Sequence, residues 1–237
     1  MKKWIVLLFG IGSFIGVEAE EIPLWIGTGG GDAEGIYHTV LDTEKGTFRK
    51  VSLAAIIGSP GFVTVSPDGK VLYSLCNVDK GSVAAYRIPE SGAELTLINT
   101  VPTGDGGAAH LSVDKTGSIL FSAQYGGGSV CSFAIEDDGS IGERTALIEH
   151  EGSGPNESRQ KGPHPHWTGV DPENNFLFVP DLGADRIVIY KIDHEGKKIT
   201  PHGEGIAVPG GGPRHMKFSD DGKFAYVLNE LLLSITV

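Results

Sequence analysis

From Glu20 onward, short apolar runs rich in Val, Ile, Phe and Tyr alternate with Gly, Asp and Asn punctuation. Such a pattern predicts β-strands joined by tight turns, and no convincing amphipathic helical period appears beyond the first nineteen residues. Four segments repeat it: GFVTVSPDGKVLYSLCN from Gly61, AHLSVDKTGSILFSAQY from Ala109, HWTGVDPENNFLFVPDL from His166 and RHMKFSDDGKFAYVLNE from Arg214. Each reads as strand, polar turn, strand. Aligned on the turn, Gly69, Gly117, Asn174 and Gly222 are equivalent, at separations of 48, 57 and 48 residues, and the longer interval holds the loop SGPNESRQKGPHPH. Further strand pairs follow three of the hairpins, as in GSVAAYRIPESGAEL, GSVCSFAIEDDGSI and DRIVIYKIDHEGKKI, and GIYHTVLDTEKGTF near the start has the same form.

Four antiparallel strands repeating every 40 to 50 residues are the signature of β-propeller blades around a central channel. A β-sandwich would be all-β too, but it predicts no fixed repeat. The expected fold is therefore an all-β propeller of four-stranded antiparallel blades, with about four blades and part of a fifth in residues 20–237.

The repeat also singles out candidate chemistry. Gly61, Ala109, His166 and Arg214 share one position at the start of the innermost strand, near one rim of the channel. Two are small and two are chemically active, so His166 and Arg214 are expected side by side on neighbouring blades. A hairpin centred on Gly222 pairs residues whose numbers sum to 444, which sets Arg214 opposite Glu230. Ionisable groups converging at a channel mouth are where binding and catalytic chemistry concentrates. Asp181, one residue before the position equivalent to Glu230, and His164, in the preceding loop, are the candidate neighbours for substrate. His110 and His215 share a repeat position with Trp167 and are expected in packing.

The first nineteen residues depart from the strand pattern. MKKWIVLLFGIGSFIGVEA has two lysines, an apolar run from Trp4 to Val17, and small residues at Val17 and Ala19. It reads as a secretory signal peptide cleaved after Ala19, and the run is shorter than the roughly 20 residues a membrane span needs. A periplasmic or secreted location follows, with no membrane contact after cleavage. The whole chain carries 30 acidic and 19 basic residues, and the part from Glu20 on carries 29 against 17, a net charge of −12. Such a surface repels nucleic acid and anionic lipid. Cys76 and Cys131 stand outside any metal-ligand spacing and are expected as free buried thiols.

HPHWTGVDP, DLGADRIVIYKI and GPRHMKFSDDGKFAYVLNE together resemble the lactonase family of seven-bladed propellers, which includes the propeller-type 6-phosphogluconolactonases and the fungal carboxy-muconate cyclases. The resemblance covers nearly all of the chain after the leader. It implies a small-molecule lactone opened by water, or formed in reverse, at one channel mouth, with no metal or other cofactor. It places the family's functional histidine, arginine and glutamate on His166, Arg214 and Glu230. The family also contributes a further arginine from a later blade. Because it closes with about seven blades, the resemblance further implies a C-terminally shortened propeller prone to self-association through open edges.

In that reading His166 is the general base, Arg214 holds the oxyanion or an anionic substrate group, and Glu230 orients Arg214 or protonates the departing alkoxide. The alternatives are a non-catalytic propeller that only binds a ligand, or a lactone-forming cycloisomerase. Other motifs point elsewhere only weakly. GTGGGDAEG from Gly27 lacks the following helix and G-K-[ST] of a phosphate loop, and no G-x-S-x-G supports a serine hydrolase. His164 and His166 lack the extra carboxylate or cysteine ligands a metal clip would need.

Overall fold

The computed structural model describes residues 20–237, so the expected leader at Met1–Ala19 lies outside the described residues. Those residues form five small antiparallel sheets in chain order. The first holds Glu21–Ile26 and Gly35–Asp42, with Thr47–Phe48 and Ser52–Ile56 both pairing to the latter. The second to fourth are four-stranded meanders: Val63–Val65, Val71–Cys76, Ser82–Arg87 and Thr96–Pro102; Ala108–Val113, Ile119–Gln124, Ser129–Ile135 and Ile141–Glu149; Gly169–Val170, Phe176–Asp181, Arg186–Asp193 and Lys198–Ile206. The fifth sheet has Pro213–Phe218, Ala225–Asn229 and Ser234–Thr236. The fold is a β-propeller of about five blades, as the repeat predicts.

The turn chemistry explains why the inner hairpins recur. Gly69, Gly117, Asn174 and Gly222 all have left-handed backbones, with φ of 75°, 78°, 62° and 70°. Glycine, and to a lesser degree asparagine, adopts that conformation at little steric cost. Each closes its turn by donating its N–H to a carbonyl three residues earlier, at Ser66, Asp114, Asp171 and Ser219. The side chains of those four first residues also accept from the strand that returns: Asp114 from Ser118 and Ile119, Asp171 from Asn175 and Phe176, Ser66 from Val71, Ser219 from Phe224. A short acidic or hydroxylic residue is thus needed three places before the glycine or asparagine, and the sequence supplies one every time.

Packing between blades follows from strand alternation. In Val71–Cys76 every residue is buried. Leu72 and Cys76 join a cluster with Ile36 and Ala54 of the first sheet, while Val71, Tyr73 and Leu75 join Leu111, Leu120 and Phe133 of the third. A third cluster sets Ile119, Phe121 and Val130 against Leu177, Val179 and Tyr190 of the fourth sheet. A strand buried on both faces is what face-to-face stacking of blades demands, which is why these runs lack polar alternation. Cys76 and Cys131 are free and buried, and burial pushes the Cys131 thiol up to about 12.

Candidate active site

The inner segments of the second to fifth sheets bring one side chain each to a layer just below the rim. Phe62, His110, Trp167 and His215 occupy one repeat position, and His110 meets the rings of the other three. Centroids are 4.1 Å apart for Phe62 and His110, and 5.6 Å for His110 with both Trp167 and His215. His110 is almost fully buried here, and burial holds its pKa well below the ordinary value. The expectation of packing roles for His110 and His215 therefore holds, with the packing partners being rings contributed by other blades. His215 also lies 5.4 Å from the ring of His166, which places it directly under the site.

His166 and Arg214 stand at the rim, as the repeat predicts, but neither sits in regular pairing. The inner strand of the fourth sheet is reduced to Gly169–Val170 because Thr168 donates its N–H to His110 Nδ1 at 3.3 Å. His166 is held instead by its own N–H to the Pro180 carbonyl at 3.0 Å, next to a single bridge between Pro165 and Asp181. Its Nδ1 is buried and, among the described residues, has no hydrogen-bond partner. Burial first, and then the nearby Arg214 charge, lower its pKa to about 4. At neutral pH the imidazole is uncharged and carries an unused polar atom in a desolvated place, and an orphaned group of that kind is costly unless it has a function.

Arg214 and Glu230 do meet, although not by the predicted register. The ladder of the fifth sheet pairs His215 with Leu228 and Phe218 with Ala225, a sum of 443, and it shifts between Pro213 and His215. Arg214 sits in that irregularity. Glu230 lies just past its strand, its N–H donating to Gly212 at 2.9 Å. The long side chains close the gap, with Arg214 Nε 2.7 Å from Glu230 Oε2. The opposite oxygen, Oε1, accepts a 2.6 Å hydrogen bond from Arg159 Nη2. Burial pushes the Glu230 carboxyl up, yet the Arg159 hydrogen bond and the two arginine charges prevail and hold it below the usual carboxylate range. Glu230 is ionised at neutral pH, and each of its oxygens holds one arginine.

The sequence pattern singles out neither Arg159 nor Tyr125, and both belong to the rim. Arg159 Nη2 lies 3.4 Å from the Tyr125 hydroxyl, and Tyr125 stacks on His164 at 4.5 Å and meets His166 edge-on at 5.3 Å. Tyr125 stands eight residues after Gly117, as Glu230 stands eight after Gly222, so the repeat contains a signal for it. Arg159 has none, because it lies in the non-repeating loop. The structure places it through hydrogen bonds to that loop: the Asn156 side chain accepts from the Ser158 and Arg159 N–H groups, and buried Gln160 donates to the Leu182 carbonyl and to Asp185 Oδ1. Asp185 also accepts from Gly210 and Gly212, the segment that leads into Arg214 and receives the Glu230 N–H. One buried carboxylate thereby ties together the supports of Arg159, Arg214 and Glu230.

The two expected substrate neighbours separate. His164 is half-buried at the rim, its Nδ1 2.7 Å from the Tyr125 carbonyl. Asp181 is fully buried, and its oxygens accept from His150 Nδ1 and from the N–H groups of His164, Gly183 and Ala184. It anchors the His164 loop, and with both oxygens occupied inside a stretch buried from Val179 to Asp185 it leaves none facing the opening.

Comparison with known proteins bears on the family of the chain. Residues 23–237 match the family described as "Lactonase, 7-bladed beta-propeller". A 6-phosphogluconolactonase of Bacillus subtilis is 38% identical over 202 residues, covering 85% of this chain and 57% of that protein. One from Formosa agariphila is 32% identical over 203 residues, covering 83% and 58%. The solved periplasmic gluconolactonase of Pseudomonas aeruginosa superposes with a TM-score of 0.80 at 28% identity, covering 90% of this chain and 62% of that one. The chain thus spans under two thirds of the length of these relatives. Its matched residues, the identity to these relatives and the repeat of antiparallel blades lead to one assignment: the chain belongs to the lactonase family of seven-bladed β-propellers.

Proposed function

We propose that the protein hydrolyses a sugar-derived lactone at the rim formed by His166, Arg214 and Glu230. The observation that carries this reading is the buried, unpartnered Nδ1 of a neutral imidazole beside two arginines that share one carboxylate. Ester opening needs a proton acceptor for water and positive charge where the oxyanion forms. His166 takes the proton as the water oxygen bonds to the carbonyl carbon, and Arg214 receives the developing oxyanion. The ring C–O bond then breaks, and His166 returns its proton to the departing alkoxide, giving the open hydroxy acid. A base with a pKa near 4 is weak at rest. As the oxyanion offsets the Arg214 charge, the repulsion that helps hold that pKa down is relieved, so the imidazole becomes more basic when the proton moves.

Glu230 acts through the arginines, fixing the planar forks that a lysine could not reproduce. The likeness to named 6-phosphogluconolactonases supports the reaction class. The leader-like Met1–Ala19 and the likeness to a periplasmic gluconolactonase support action outside the cytoplasm. A pH-stat assay on glucono-δ-lactone and related lactones tests the reading: turnover abolished by His166→Ala supports it. Ligand binding without turnover by the wild type overturns it in favour of a binding propeller.

A further inference from the structure

Arg214 and Arg159 occupy opposite oxygens of Glu230, but they do not stand in equivalent places. Arg214 arises from the inner strand beside His166, whereas Arg159 reaches the same carboxylate from an outer loop, beside the Tyr125 hydroxyl. One carboxylate offsets one guanidinium, so the trio keeps a surplus of one positive charge at the rim of a chain whose net charge is −11. Screening at physiological salt acts over roughly 8 Å, so an incoming ligand responds to this local surplus more than to the distant acidic surface. Among the described residues Arg159 hydrogen-bonds through Nη2 alone, leaving its Nε and Nη1 donors for a ligand, and its side chain is 41% exposed. The loop beneath it is fixed by the Asn156 and Gln160 hydrogen bonds and by Asp185, so the guanidinium is pre-organised. Pre-organisation lowers the entropy lost when a ligand is gripped.

We propose that Arg159, with the Tyr125 hydroxyl, binds an anionic substituent of the substrate, a carboxylate or a phosphate remote from the reacting carbonyl, and so selects acidic sugar lactones over neutral ones. This assignment rests on the lactone-hydrolase reading. The two arginines thereby take different roles, Arg214 serving the carbonyl next to His166 and Arg159 serving the substituent. A guanidinium matches the paired oxygens of either anion, and a tyrosine hydroxyl adds a neutral donor at its edge.

The test compares kcat/KM for neutral glucono-δ-lactone with that for 6-phosphoglucono-δ-lactone and for a glucaric acid lactone, in the wild type, Arg159→Gln and Tyr125→Phe. Loss of a charge-assisted contact of about 1.5–3 kcal/mol corresponds to roughly 10- to 100-fold, so the acidic-to-neutral selectivity ratio falls by at least tenfold in Arg159→Gln, mostly through KM. Tyr125→Phe lowers the same ratio by less. Whichever acidic lactone loses more identifies the anion. Equal losses on all three substrates, or no loss, overturn the proposal and leave Arg159 a prop for Glu230. Calorimetric titration of the same proteins with 6-phosphogluconate, glucarate and gluconate gives an independent reading. If the wild type opens none of the lactones yet binds the more acidic sugar acids through Arg159, anion selection stands and the hydrolase reading falls. If Arg159→Gln binds all three acids as the wild type does, anion selection falls whatever the turnover.

Discussion

The second and third blades carry the same inner hairpin as the fourth and fifth, with the same left-handed turn position and the same hydrogen-bonded first turn position, yet they present Gly61 and Ala109 where the later pair presents His166 and Arg214. The difference separates two kinds of constraint. Turn positions and buried strand faces are fixed by backbone conformation and packing, so they read alike in every blade. The first residue of the inner strand faces the opening and carries no packing duty, so it is free to hold chemistry in some blades and nothing in others. The eighth position after the turn varies as widely, with Asn77, Tyr125, buried Leu182 and Glu230 in successive blades.

If the contrast is real, changes at equivalent places have unequal consequences. The largest is His166→Ala, which removes the proposed base and lowers kcat/KM by about 10²–10⁴-fold without moving the melting temperature much. Glu230→Gln keeps the shape but frees both arginines, and a loss of roughly 10- to 100-fold is expected in the same assay, as for other charge-assisted contacts. Gly117→Ala reaches the other class of position. The added methyl has room, with its nearest neighbour Pro67 at 3.5 Å, but the φ of 78° penalises it. It costs about 1 kcal/mol, or roughly 2–4 °C in melting temperature by calorimetry, with kcat/KM preserved. Gly61→Ala is the smallest effect. The nearest atom to the new methyl is the Ser59 carbonyl oxygen at 4.0 Å and the backbone is not left-handed, so both activity and melting temperature stay at wild-type values. A large effect at Gly61 would show that the quiet blades take part in the site.

Much of this is legible in the sequence, for identifiable reasons. The left-handed turn tolerates only Gly or Asn at little cost, so its spacing marks the blades and, by counting back, the rim. The same counting puts Arg214 opposite Glu230, and the ion pair forms, but the ladder is one residue off from the turn onward and shifts again at Arg214, so that side-chain length restores the contact. Tyr125 is reachable by the same count, at the Glu230-equivalent position. Asp181 is taken up by the His164 loop and by His150, hydrogen bonds to a turn and to a side chain 31 residues away that no repeat count reveals. Arg159 is out of reach: its place depends on Gln160 and Asp185 meeting across 25 residues, which no local pattern encodes.

The proposed role of His166 as the neutral base is tested most directly by the pH dependence of kcat/KM for lactone opening between pH 3 and 7, where background hydrolysis is slow enough to subtract. A base must be unprotonated to act, and burial with Arg214 lowers the His166 pKa to about 4. Activity is therefore predicted to rise as pH climbs through about 4 and to be level by pH 6. In Glu230→Gln, whose own carboxyl is gone, the rise should persist but move to lower pH, because the Glu230 charge raises the His166 pKa, and it should be missing from the residual activity of His166→Ala. A rise centred at 6.5 would contradict a buried His166 acting beside Arg214, and an unchanged profile in His166→Ala would remove it from the reaction altogether.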